Sequence, residues 1–372
     1  MIIQTKQFKE AVNTLLTAVS VDTKNVTEVE IVCRGTDLYL NTTNKEYFVS
    51  IKYKLDEEIE FRAVVDASLF LNLISGITTE TFTLEVNDQL LISTGKSKYK
   101  IPLKYTEEMP FITLVNKSVE MTISNDILMS ILNVNRKELE KTKYLNVDEL
   151  QRLYYLDENG CFTFTNGACV NSFKLEKPVK LLLNDKLVKL FKLFKTDVSF
   201  SFGHDALPNG FIQTKAVFKS DSIYLAAIVN ADEKLLYKIQ GPANVVKHFM
   251  EDNYSNKLII SVKELNEAIT RILTYKKNKD SKANMLKVYG ICTFDNDNLV
   301  IKDEEGNIEY IKTSAGSIID THYAMTINLA DLKLVLDSCK DDCLNMSCGN
   351  HRSVVLARGN ITNVIPERVE GD

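Results

Sequence analysis

The 372-residue chain is 45% apolar and 26% charged, with only 14 Gly and 6 Pro. That is the balance of a globular protein of two or three domains, not of a disordered or fibrous one. A formal net charge of −5 and a pI of about 5.6 exclude a protein that simply coats DNA. No apolar stretch approaches the ~18 residues of a membrane span, so no membrane partner is expected.

MIIQTKQFKE reads as a short β segment running into a helix and meets Lys6 and Glu10 too early for a secretory signal. Phe8, Val12, Leu15, Leu16 and Val19 then fall on one helical stripe. Strand-like VEIVCRG and TDLYLNT follow, and a second helix is expected in VVDASLFLNLISG, with Asp66 as N-cap and Gly76 as its stop. TFTLEVND, QLLISTG and SKYKIPL read as strands, and Pro102 belongs on an edge or at an interruption because it cannot donate to a ladder.

The same order then recurs. VEMTI leads to a helix begun by Ser124–Asn125–Asp126, with Ile127, Leu128, Ile131 and Leu132 inside. CFTFTNG and SIYLAAIV read as strands, and LLLNDKLVKLFKLFK reads as a helix capped by Asn184 or Asp185. A third pass runs from KLIISV into a helix begun near Ser261, with Val262, Leu265, Ile269 and Ile272 inward. The strands of MLKVYGICTFDNDNLVIKD come next, then a helix capped by Asn328, then SVVLARG. Strand, helix, strands, helix, strands, three times over, gives an α+β fold of antiparallel sheets, each covered by two helices. The expected domains are 1–115, 116–245 and 246–372, with net charges of −4, +2 and −3.

The arrangement resembles the bacterial DNA sliding clamps, the beta subunits of the replicative DNA polymerase, over essentially the whole chain. The likeness is clearest in VVDASLFLNLISGITTETFTLEVNDQLLISTGKSKYKIPL and from MLKVYGICTFD through TINLADLKLVLDSC to NVIPERV. It implies three clamp-type domains forming half of a closed ring, completed by a second chain head to tail. Twelve helices side by side at ~8–10 Å leave a bore of roughly 20–28 Å, enough for a duplex. The implied function is a processivity factor that holds duplex DNA without regard to sequence and tethers the polymerase. A separate loader would open the ring.

Three surfaces follow from the resemblance. Lys24, Arg136, Lys137, Lys186, Lys189, Lys192, Lys195, Arg271 and Lys333 are expected to face DNA. A cleft for short partner peptides from polymerase and loader is expected at Leu145, at Thr165, Gly167, Ala168, Cys169 and Val170, and at Val364, Ile365, Pro366, Glu367 and Arg368. Ala168–Cys169 replaces the family's usual His–Arg, and Glu367 replaces an apolar residue. The homodimer seam is expected at Tyr99 and Ile101 against Ile272 and Leu273. The rival reading keeps the fold without the ring, as a monomeric docking platform or decoy.

No cofactor, metal or catalytic site is expected. Cys339, Cys343, Cys348 and His351 have a metal-like spacing, but Cys339 continues a helical stripe, and Cys343 and Cys348 fall on opposite strand faces. No phosphate-cradling glycine motif occurs, and paired acids such as Glu57–Glu58 fall in turns. Seven Cys without a repeating spacing read as reduced core residues and point to the cytoplasm.

Overall fold

The computed structural model describes residues 1–104, 109, 111–133, 153–164, 167–207, 212–229, 232–280, 285, 287–349 and 352–368. Two compact units divide the chain: Met1–Leu132 with Leu183–Asn230, and Asn133–Leu182 with Ala231–Asp372. Among the described residues, no helix is long and apolar enough to cross a membrane.

The first unit holds two antiparallel sheets. One runs in the order β1 (Ile2–Gln4), β4 (Thr81–Val86), β5 (Gln89–Thr94) and β6 (Ser97–Pro102), so Pro102 closes an edge strand as expected. The other has six strands: β2 (Glu28–Thr43), β3 (Tyr47–Asp66), β14 (Ile223–Ile228), β13 (Ile212–Lys219), β12 (Val198–Ala206) and β7 (Lys117–Ile123). Helix α1 (Thr5–Val21) and helix α2 (Ala67–Gly76) pack on each other and on β2 and β3. Phe8 on α1 anchors that core, meeting the rings of Tyr53, Phe70 and Phe82 edge-on at 5.2–6.5 Å. Asp66 caps α2 by accepting the Leu69 N–H at 3.0 Å. Of the first stripe only Leu16 is left partly exposed. Helix α3 spans Asn125–Asn133. Asn184 caps the short α4 (Asp185–Leu190), which tightens into a 3₁₀ turn over Phe191–Leu193. LLLN, expected as the start of that helix, is strand instead.

The second unit repeats the plan. Its eight-stranded sheet runs β11 (Lys180–Asn184), β8 (Leu153–Asp157), β9 (Gly160–Phe164), β10 (Ala168–Ser172), β22 (Ile361–Pro366), β21 (Ser353–Arg358), β20 (Cys343–Cys348) and β15 (Asn256–Ser261). The four-stranded sheet runs β18 (Ile308–Lys312), β17 (Asn298–Asp303), β16 (Tyr289–Asp295) and β19 (Ala324–Asn328). Helices α6 (Val262–Lys279) and α7 (Leu329–Ser338) bury Leu265, Ile269, Ile272, Leu332 and Leu336 in the core between these strands. Ser261 and Asn328 cap them through Glu264 N–H at 3.3 Å and Ala330 N–H at 3.0 Å.

The two units cut across the three expected repeats, and the reason is strand pairing. β3 of the first repeat pairs with β14 of the second, and β10 of the second pairs with β22 of the third. The border expected at 245/246 falls inside a helix absent from the sequence reading, α5 (Glu233–Glu251). The threefold division stands as a proposal about how the chain was built.

Candidate partner-binding recess and basic surface

Strands β10 and β22 run antiparallel with Ala168 opposite Val364. Side chains alternate across a strand, so Ala168, Val170 and Val364 share one face. Helix α5 covers that face, burying Leu236, Ile239, Ala243 and Val246 against Tyr155, Phe162 and Val355. Asp232 caps the helix by accepting the Leu235 N–H at 3.0 Å. Lys247 pins its far end to the buried Asp157 at 2.7 Å and lies 5.2 Å over the Phe162 ring.

Between α5 and the strands lies an apolar recess of about 230 Å³. Phe164, Gly167, Ala168, Val364 and Pro366 form one wall, and Pro242, Val245, Val246 and Phe249 form the other. Gly167 is required there, because a Cβ would collide with the Val364 carbonyl oxygen. Val245 is half exposed, so an apolar side chain stands at the mouth without a neighbour to cover it. The chemistry on offer is shape and apolar surface, suited to side chains of a short segment.

Five of the expected cleft residues are placed differently from Gly167, Ala168, Val364 and Pro366. Val170 lies beneath α5, beyond the recess. Cys169 and Ile365 sit on the opposite strand face, Ile365 in the core with α6 and α7. Glu367 accepts a hydrogen bond from the Tyr323 hydroxyl, and burial pushes its carboxyl above the usual range, only partly offset by that bond. Arg368 lies 4.2 Å over the Tyr289 ring. Leu145 and Thr165 fall outside the described residues.

The basic residues differ in their surroundings. Lys186 sits 2.8 Å from Asp22 and 3.3 Å from Glu46. Burial alone would raise the Asp22 carboxyl, but hydrogen bonds from Lys186, Asn25 and Asn44 outweigh it and bring it down to about 2. Lys189 pairs with Asp185 at 2.6 Å, and Lys333 pairs with Asp337 one turn on. Arg271 holds Glu309 through two bonds of 2.8 Å. These four, expected to face DNA, each form an ion pair with a carboxylate of their own unit. Lys24, in the turn after α1, and Lys192 and Lys195, beyond α4, are exposed. Arg136 and Lys137 lie outside the described residues.

No family model matches the chain. A beta sliding clamp of Mycoplasma genitalium is 23% identical over 258 residues, 63% of this chain and 64% of that protein. The polymerase III beta chain of Streptococcus pneumoniae superposes with a TM-score of 0.76 at 14% identity, covering 99% of both chains. The sliding clamp of Bacillus subtilis gives 0.73 at 15%, covering 99% and 98%. This is the sliding-clamp fold.

Within the clamp fold, the expected seam residues differ in exposure. Tyr99 on the edge strand β6 is 42% exposed, whereas Ile101 points into its own core. Ile272 is buried on α6 and Leu273 packs partly buried beside it. Of these four, Tyr99 is the most exposed. On the four-stranded sheet of the other unit, the edge strand β18 likewise exposes Ile308 and Tyr310. The recess residues on α5 were missed in the sequence because Gly241–Pro242 reads as a helix breaker. The available signal was the Asp232 cap followed by Leu236, Ile239, Ala243 and Val246 at helical spacing.

Proposed function

We propose that the chain is a DNA sliding clamp, a non-enzymatic processivity factor of the cytoplasm. Two copies join head to tail through edge strands and enclose duplex DNA, and the polymerase and its loader dock by short peptides in the recess beside Val364 and Pro366. The observation that carries this reading is the match of the fold over 99% of the chain to solved clamps. Lys24, Lys192 and Lys195 supply the exposed cationic contacts in the proposal. The paired Lys186, Lys189, Arg271 and Lys333 act mainly as internal fasteners. Retention on circular DNA tests enclosure: a topological clamp runs off once the circle is cut, and a protein that stays on linear DNA is not one.

The neutralised lysines favour one rival specifically, a clamp-fold docking protein that does not encircle DNA. Sedimentation distinguishes the two. A ring sediments as a dimer at micromolar concentration, and a monomer there would favour the docking protein.

A further inference from the structure

The recess beside α5 has apolar walls, and a single charged side chain, Arg352, lines it. Backbone pairing fixes where that residue stands. Ser353, next in the chain, lies opposite Pro366 across β21 and β22, and the Glu367 N–H donates to the Arg352 carbonyl at 3.0 Å. Arg352 is thereby held beside the Pro366 wall. Its side chain is exposed and, among the described residues, holds no ion pair. Burial raises the Glu367 carboxyl, while the Tyr323 hydroxyl and the Arg352 charge draw it back, the first through a hydrogen bond and the second only across space. A planar fork of N–H donors thus stands open to solvent next to apolar surface.

Helix α5 adds charge of the same sign. Lys238 precedes Pro242 by one turn, so it continues the stripe of Pro242, Val245 and Phe249, and it is exposed. The two glutamates of the helix, Glu233 and Glu251, lie about two and a half turns to either side of Pro242 and face away from that stripe. Asp252, just past the helix, lies 4.0 Å from His248. The apolar walls are therefore edged by cations, although the chain as a whole carries −5.

From this arrangement we infer that the recess selects a segment in which Asp or Glu directly adjoins an apolar or aromatic side chain. The apolar side chain fills the space between Val364 and Val245, and the neighbouring carboxylate takes the Arg352 fork through parallel N–H···O bonds. Lys238 strengthens the attraction at longer range. The inference rests on the proposed reading of the recess as a peptide-docking site, and it adds the charge that a partner must carry.

Calorimetric titration of the full chain tests this with two N-acetylated, C-amidated peptides, Gly-Glu-Leu-Phe-Gly and Gly-Leu-Phe-Glu-Gly, and with their Gln and Lys counterparts. At low ionic strength the better Glu peptide should bind about three- to fivefold more tightly than its Gln counterpart, and the Lys form more weakly than either. Added salt should narrow the preference. Arg352→Gln should erase it while leaving the Gln peptide's affinity and the melting curve unchanged, and Arg352→Glu should turn it toward Lys. Equal binding of the Glu and Gln peptides, or a preference that survives Arg352→Gln, overturns the inference and leaves the docking site standing. Tighter binding of uncapped Gly-Leu-Phe, whose carboxylate is terminal, also overturns it. Failure of every peptide to saturate, or indifference to Val245→Glu, removes the docking site and the inference together.

Discussion

Replacing Lys186 by Met tests whether that lysine acts within the fold or toward DNA. Asp22 is nearly buried and gathers Lys186 at 2.8 Å, Asn25 at 3.0 Å and Asn44 at 2.9 Å. Its backbone also ends α1, with its carbonyl accepting from Asn25 and Val26. The carboxyl sits at about 2 when folded against 3.8 as its ordinary value. A folded-state value below the unfolded one stabilises fully above pH 3.8, and that contribution is lost as pH falls through about 2. The full linkage of the shift is about 2 kcal/mol, which screening around the partly exposed ammonium reduces to about 1 kcal/mol.

Lys186→Met should therefore lower the stability of the first unit by about 1–2 kcal/mol at pH 7, read from urea unfolding followed by circular dichroism. Combining it with Asp22→Asn should show a coupling of at least ~0.5 kcal/mol in a double-mutant cycle. DNA retention at a fixed salt concentration should change little. A variant as stable as the parent that nevertheless loses DNA would refute the reasoning, because the lysine's role would then lie outside the fold.

Charge reversal of Lys24, Lys192 and Lys195 together should weaken DNA retention and flatten its salt dependence by about three phosphate contacts' worth, near 0.9 log unit each, measured as retention against salt. Val245→Glu places a charge at the mouth of the recess and should abolish capture of polymerase-derived peptides without altering oligomeric state, checked by calorimetry and sedimentation together. Gly167→Ala should push β10 from β22, lower stability by about 1–3 kcal/mol and impair the same peptides, checked by melting and titration. Tyr99→Asp on the β6 edge should shift the sedimentation profile toward monomer while leaving the melting curve in place.

The helices of each repeat were legible where capping chemistry and an apolar stripe coincide. Asp66 and Asn328 act as the N-caps read from the sequence, Asn184 rather than Asp185 caps its helix, and Ser261 caps the helix expected to begin near it. Edge placement of Pro102 followed from its missing donor. What the sequence concealed depends on pairing partners far along the chain. Nothing local to Phe48 or Ala168 says that Ala226 or Val364 lies opposite. Likewise, residue type alone cannot tell a lysine facing solvent from Lys186, which meets Asp22 and a Glu46 that lies 140 residues away in the chain. For the recess, adjacency in sequence misled: Val364 and Ile365 were expected to act together, but β alternation sends them to opposite faces.

The joining of β3 to β14 has a consequence during synthesis. The edge of β3 at residues 47–51 has no neighbour until residues 223–228 have been made. At ribosomal speeds of roughly 5–20 residues per second, that is an interval of about 10–35 s in which Phe48, Val49 and Ile51 present an unsatisfied ladder. During that interval this edge of the nascent chain is open to misassociation with its neighbours on a polysome. Chaperone demand at this edge should accordingly fall once the codons beyond Ile228 have been read.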